Sequence, residues 1–298
     1  MSRQKFRIGV DLGGTKIEAV ALAADGTVAW RERVPTPKLS ADAIYDAITG
    51  LVDRCELTLG VAATVGIGTP GSLSPKTGLL RGSNTVVLNG QPVKQALETR
   101  LKREIRIAND ANCFALSEAV DGAGKGAATV FGVILGTGVG GGVVINAAPV
   151  SGLHAIAGEW GHNPLPWPDT DELPGTRCYC GKSGCIETWL SGPGIAAHFA
   201  DGTVAPSEIV KRAAAGDAAA EAYLKRVEDR LARALATLIN VLDPDVIVLG
   251  GGVSNIARLY DNVPKLLRRY VFSEFVETKI APNVHGDSSG VRGAAWLW

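Results

Sequence analysis

The densest chemistry in the chain lies where His162 precedes Cys178-x-Cys180-x4-Cys185. Three thiolates and one imidazole are the usual donor set of a closed tetrahedral zinc site, structural because no position stays open for water. The loop around them carries Pro and Gly and few apolar side chains. Burial alone would not order it, and a bound metal would supply that folding free energy. Five cysteines are an odd number, and in a reducing compartment a tight cluster reads as metal ligands before disulfides. Unrelated free thiols are the plainer alternative. Cys55 and Cys113 fall in apolar helical segments and read as core. Glu159 and Glu187 flank the cluster. On a metal-fixed loop they could accept hydrogen bonds from vicinal hydroxyls; otherwise they are solvated surface carboxylates.

A second chemistry is phosphate binding. Three glycine-rich turns follow apolar strands: Asp11-Leu-Gly13-Gly14-Thr15-Lys16, Gly136-Thr137-Gly138-Val139-Gly140, and Gly250-Gly251-Gly252-Val253-Ser254. Glycine lets the backbone approach a phosphate, and successive N–H groups make an anion nest. One such turn is weak support, since it can be only a turn. Three at strand ends favour a polyphosphate ligand. Gly136-x-Gly138-x-x-Gly141 fits a dinucleotide fingerprint by spacing, but a strand-like run follows it where a helix N-terminus is needed. Gly122 to Gly126 lacks the Walker spacing.

Asp11 beside the first turn would repel phosphate unless a cation lay between them, so it suggests Mg²⁺; an ordinary turn residue is the alternative. Asp110, in Asn109-Asp110-Ala111-Asn112, is a candidate general base for a hydroxyl attacking a phosphoryl group. It could equally be the N-cap of the helix that runs on through Phe114, Leu116 and Val120.

The elements that must position these groups are legible in outline. Strands are expected at 7–11, 17–22 and 27–34, joined by Gly-rich and Asp-Gly turns as an antiparallel meander. Ile44, Ile48, Leu51 and Val52 mark a helix, and buried-type strands follow at 61–67 and 105–108. Strands at 129–135 and 143–146 surround the second glycine turn. Strand, glycine turn, strand thus heads each half, a weak internal duplication. Residues 147–190 are loop-rich, with Pro164, Pro166, Pro168 and Pro174 as breakers. Leu224, Val227, Leu231, Leu235, Leu238 and Leu242 form the best helix, ended by Asp243-Pro244. A strand at 246–249 enters the third glycine turn, and a last helix starts near Ser288. The expected organisation is a small α/β lobe at 1–120, completed by a helix at 288–298, and a large α/β lobe at 121–287 with the zinc loop.

Composition excludes several classes. The 298 residues are 46% hydrophobic and 20% charged, so the chain is not a disordered one. Lys plus Arg equals Asp plus Glu at 30 each, and without a basic excess nucleic acid is no expected partner. No apolar run reaches the roughly 18 residues that span a bilayer, and Met1 to Lys5 does not read as a signal peptide. No membrane partner and a cytoplasmic location are expected.

Asp11-Leu-Gly-Gly-Thr-Lys16, Asn109-Asp110, Glu159-Trp-Gly-His162 and Cys178-x-Cys180-Gly-x-x-Gly-Cys185-x-Glu187 together resemble the ROK family of bacterial sugar kinases and repressors. Pro70-Gly71-Ser72-Leu73-Ser74-Pro75, Gly161-His-Asn-Pro-Leu-Pro-Trp167 and the run from His285 to Trp296 look like its fructokinase (manno/fructokinase) branch. The resemblance implies a two-lobed, actin-like, ribonuclease H-like α/β fold with ATP and hexose meeting in a cleft. It implies Asp110 as the base for the 6-hydroxyl of fructose, and Gly71, Asn84, Asn109, Glu159, His162 and Glu187 as sugar contacts. His162 would bind structural Zn²⁺ through its other ring nitrogen. Thr15, Lys16, Thr137 and the glycines of the three turns would hold Mg²⁺-ATP, and a homodimer is expected. Kinases of N-acetylglucosamine, glucose or mannose are the near alternative, and a non-catalytic sugar sensor the distant one. Strand one begins within ten residues, so the helix-turn-helix of the repressors does not fit.

Overall fold

The computed structural model describes residues 5–298, which divide into two compact units. The first takes the chain up to Gly126 together with Gly142–Ala157 and Asp287–Trp298; the second takes Ala127–Gly141 and Gly158–Gly286.

The first unit is built on five strands: β1 (Arg7–Leu12), β2 (Lys16–Leu22), β3 (Val28–Pro35), β4 (Thr64–Thr69) and, after the small hairpin β5 (Ser72–Leu73) and β6 (Leu80–Arg81), β7 (Arg106–Asn109). Their order is β3-β2-β1-β4-β7, with β1 to β3 antiparallel and β4 and β7 parallel to β1. The expected meander is present. The strand expected from position 61 starts only at Thr64.

Alternation along β1 decides which face each side chain serves. Ile8, Val10 and Leu12 enter one core with Ile44, Ile48 and Leu51 of α1 (Ala41–Leu59) and Leu97 of α2 (Val93–Leu101). Ser40 caps α1 by accepting from the Ala43 N–H. The opposite face carries Gly9 and Asp11, and there α3 (Asp110–Asp121) and α9 (Ser289–Ala295) pack against the sheet and each other. That packing is backbone to backbone. A Cβ on Gly9 would sit 2.0 Å from the Val291 carbonyl oxygen, and one on Gly66 would sit 1.9 Å from that of Ala294. Glycine is required at both because the helix lies directly on the strands.

The second sheet repeats the order. β8 (Thr129–Leu135), β9 (Val139–Ile145), β10 (Ala148–Val150), β11 (Val246–Gly250) and β12 (Lys279–Pro282) run β10-β9-β8-β11-β12. β10 is antiparallel to β9, and β8 and β12 are parallel to β11. Two mixed sheets in this order are the ribonuclease H-like, actin-like α/β arrangement, and they give the suspected duplication a structural form. β10 and most of β9 fall in the first unit, and the helices of the second unit are α4 (Ile186–Leu190), α5 (Gly192–Ala197), α6 (Pro206–Ala214), α7 (Ala218–Leu242) and α8 (Arg258–Leu267). α7 buries Leu224, Val227, Leu231 and Leu235 as its periodicity predicts and ends at Asp243 in the left-handed region.

β9 departs from the sequence expectation. It begins at Val139, inside the glycine run, rather than at Val143. Gly141 serves close packing, since a Cβ there would come within 2.8 Å of both the Phe131 and Trp160 rings.

Two buried carboxylates are tied by arginines. Glu18 sits between Arg31 at 2.5 Å and Arg33 at 2.8 Å. Glu172, on the loop before the cysteines, binds Arg230 at 2.7 Å and Arg233 at 2.9 Å on α7. Burial pushes its pKa up, but the bonds from Arg233 and Arg230 outweigh that and lower it to about 2.

Candidate active site

Asp11 and Asp110 are brought together within the first unit. Asp11 lies near the end of β1, on the face under α9, where a Cβ on Gly290 would be 3.5 Å from its carboxyl carbon. Burial first, then the charges of Asp110 and Glu18, raise its pKa to about 6, against smaller opposing effects of Lys16 and Arg33. A buried carboxylate beside two others is where a divalent cation would relieve the repulsion.

The β7–α3 junction settles which residue caps the helix. Asn109 is the N-cap: its side chain accepts from the Ala111 N–H at 2.9 Å and donates to the Gly71 carbonyl at 3.1 Å. Asp110 is therefore the first helical residue, with Oδ1 accepting from the same Ala111 N–H at 2.8 Å. Gly71 has φ +78°, and a Cβ there would strike the Arg81 carbonyl at 2.2 Å, so glycine alone lets its carbonyl meet Asn109. Asn84 stands near the first glycine turn, its Oδ1 about 3.7 Å from where a Gly14 Cβ would be. That turn closes by Gly13 N–H donating to the Lys16 carbonyl at 3.0 Å. Thr15 and Lys16 are exposed on it.

In the second unit the cluster assembles as expected. The ligand atoms of His162, Cys178, Cys180 and Cys185 all lie within 4.8 Å of one another. Cys180 Sγ is 3.6 Å from Cys185 Sγ, and Cys178 Sγ is 3.6 Å from His162 Nδ1. Tetrahedral zinc with S and N ligands at about 2.0–2.3 Å demands edges of about 3.5–3.8 Å, so the donors fit. Burial and the neighbouring sulfurs push the Cys185 thiol up to about 12, a crowding that a cation would reverse. His162 Nε2 faces away from the sulfurs and lies 3.0 Å from the Tyr179 hydroxyl.

Trp160 anchors the Glu159–His162 turn: its indole N–H donates to the Gly140 carbonyl at 2.9 Å and its ring meets Phe131 edge-on. Glu187, on the first turn of α4, accepts from the Val139 N–H at 2.9 Å through Oε2, and its Oε1 is 3.9 Å from Cys178 Sγ. It thus touches both the metal loop and the residue after Gly138. A Cβ on Gly138 would come within 2.6 Å of that Oε2 and oblige the Glu187 carboxylate to shift.

The second and third glycine turns share a cavity of about 670 Å³ with Gly136, Thr137 and Gly252 in its wall. Gly192, at the start of α5, donates to the Gly136 carbonyl at 2.7 Å. Gly251 (φ +82°) packs against the Leu135 carbonyl, where a Cβ would be 2.5 Å away. The size suits a nucleoside. Sequence reasoning missed the rest of the wall, including Pro193, Lys211 and Ile256. Only Ser191-Gly-Pro-Gly194, a helix start with a serine cap, marked part of it locally. Tyr179 was missed as well.

The ROK family model matches residues 7–298. The chain is 40% identical over 296 residues to an N-acetyl-D-glucosamine kinase of Salmonella newport (strain SL254), covering 97% of this chain and 98% of that one. A ROK hexokinase from Thermus thermophilus superposes with a TM-score of 0.87 at 31% identity, covering 98% and 97%. A ROK glucokinase from Streptomyces griseus, solved with glucose and AMPPNP, gives 0.74 at 29%, covering 98% of each. The fructokinase branch is not among these relatives. With its family model matched almost end to end, this chain belongs to the ROK family and is a sugar kinase.

Proposed function

We propose that the protein transfers the γ-phosphoryl group of ATP to the 6-hydroxyl of a hexose, with N-acetyl-D-glucosamine as the substrate. The observation that carries the reading is the family match over residues 7–298, supported in the first unit by the Asp11–Asp110 pair and in the second by the metal-competent His162–Cys185 cluster with Glu187 beside it. The choice of sugar rests on the name of the relative at 40% identity. Fructose is the second reading, favoured by the motifs at 70–75, 161–167 and 285–296.

In this reading Asp110 takes the proton of the attacking hydroxyl. Its oxygen bonds to the γ-phosphorus, the bond to the β-phosphate oxygen breaks, and ADP leaves. Asn109, held against Gly71, together with Asn84, Glu159, His162 and Glu187, orients the other hydroxyls. Gly13 to Lys16 bind phosphate oxygens, Gly136 to Gly138 with Gly251 and Gly252 serve the nucleotide, and Asp11 holds Mg²⁺. Mg²⁺ would neutralise charge on the phosphate oxygens. Zinc on His162, Cys178, Cys180 and Cys185 would supply folding energy to the loop and no chemistry. A homodimer and a cytoplasmic location go with the family resemblance; no helix among the described residues is long and apolar enough to cross a membrane.

The test is ADP release with Mg²⁺-ATP against N-acetylglucosamine, fructose, mannose and glucose. The highest kcat/KM on N-acetylglucosamine supports the reading, and the highest on fructose replaces its sugar but keeps its mechanism. ATP binding with no turnover of any hexose would leave a sensor.

A further inference from the structure

The nitrogen of His162 left over by the cysteine cluster already has a partner. Nδ1 faces Cys178, while Nε2 lies 3.0 Å from the Tyr179 hydroxyl. The two rings meet edge-on, with centroids 5.1 Å apart and planes at 89°. Tyr179 is the residue between Cys178 and Cys180, so its backbone is held wherever those two donors are held. Its side chain is 83% exposed and has room to turn. Its hydroxyl lies directly against His162, one of the second-unit side chains proposed above to bind sugar.

A histidine that ligates metal through Nδ1 carries its proton on Nε2 and donates it to whatever lies beyond. Here that acceptor is the Tyr179 oxygen. A sugar hydroxyl that needs His162 must accept the same N–H, and one proton does not serve two acceptors at full strength.

We propose that Tyr179 is a competing acceptor that occupies the sugar hydroxyl's place on His162 Nε2 and swings out when a hexose binds, setting sugar affinity without touching phosphoryl transfer. The proposal rests on the sugar-kinase reading of this site. Giving up one such hydrogen bond lowers sugar affinity by roughly 2- to 10-fold. The factor is the same for every hexose that uses His162, so Tyr179 scales affinity and leaves the ranking of sugars alone.

Tyr179→Phe keeps the ring and its edge contact and removes the acceptor. On the full-length, zinc-loaded protein, calorimetry gives the Kd of the best hexose, steady-state kinetics give KM and kcat, and metal analysis gives zinc per chain. The expected result is Kd and KM lowered roughly 2- to 10-fold, with kcat, the KM for ATP and zinc content unchanged. Tyr179→Ala should tighten binding at least as much. A raised Kd would mean that the hydroxyl contacts the sugar, and an unchanged Kd that it competes with nothing; either overturns the proposal. Loss of zinc in Tyr179→Phe would make the residue structural and overturn it too. Failure of the wild-type protein to bind any hexose would remove the sugar-kinase reading and this proposal together, whereas wild-type binding with no Tyr179→Phe effect removes this one alone.

Discussion

In the first unit Asp11 and Asp110 stand on regular structure: the end of β1 and the first turn of α3, with α9 pressed on both elements. In the second unit Glu159 and His162 lie on a short turn and Glu187 on the first turn of α4, tied down by four metal-competent donors, the Trp160 indole and the Glu172–Arg230–Arg233 bonds. The sheets share one strand order, yet one unit holds its polar groups by backbone packing and the other by side-chain contacts around a cluster able to take a metal. Groups that must not move suit the first method. Groups that read a variable ligand suit the second, because a loop changes without disturbing the sheet beneath it.

The largest expected effect tests the first unit. Asp110→Asn should cost about 10²–10⁴-fold in kcat while hexose Kd and melting temperature stay near wild type. Asn109 makes the cap, so a folding loss instead would show that Asp110 holds the β7–α3 junction.

Next is the support of the metal loop. Glu172→Ala leaves Arg230 and Arg233 buried without their carboxylate and should destabilise by about 3–5 kcal/mol. Because the folded pKa of Glu172 is depressed to about 2, its contribution is complete above the unfolded value of 4.5 and is lost as pH falls from there towards 2. Acid unfolding of Glu172→Ala should therefore show less pH dependence in that window. An unchanged melting temperature at pH 7 would mean that the loop does not lean on α7.

Chelation should separate the units directly. Removing metal should raise hydrogen exchange across 159–190 and weaken hexose binding, while β1, β4 and α3 stay protected. Uniform exchange over both units would erase the contrast between them.

The smallest effect concerns Asp11. Its folded pKa near 6 exceeds the usual 3.8, so ionising it costs the folded protein stability as pH rises through that interval. Mg²⁺ must displace that proton, so its affinity should rise about tenfold per pH unit below 6 and level off above it. A flat profile from pH 5 to 8 would take Mg²⁺ away from Asp11.

What could be read in advance follows the same division. Asp11 before Gly13-Gly14, and the spacing of Cys178, Cys180 and Cys185, were legible because their information is local. The start of β9 was not, since three glycines suit both a turn and a crowded strand, and only Phe131 and Trp160 decide between them. Arg230 and Arg233 look like the solvated face of α7 until Glu172, 58 and 61 positions earlier, is set against them. Asn109 and Asp110 suit a cap equally by residue type, and only the backbone at the β7–α3 junction picks Asn109, while Tyr179 is an ordinary residue until His162 is beside it.

The seat of α9 on Gly9 and Gly66 bears on how the molecule is made. The strands at positions 7–12 and 64–69 leave the ribosome early, but the helix that covers one face of them is encoded at 289–295. During synthesis the part of that face beneath α9, with the Asp11 carboxylate on it, waits uncovered while the second unit is translated. The second unit is able to complete itself first, and the first is finished by a stretch that emerges after it. A chaperone that shields bare sheet would meet its substrate here, and a stop codon shortly before position 289 would release a protein with a finished second unit and Gly9, Gly66 and Asp11 left bare in the first.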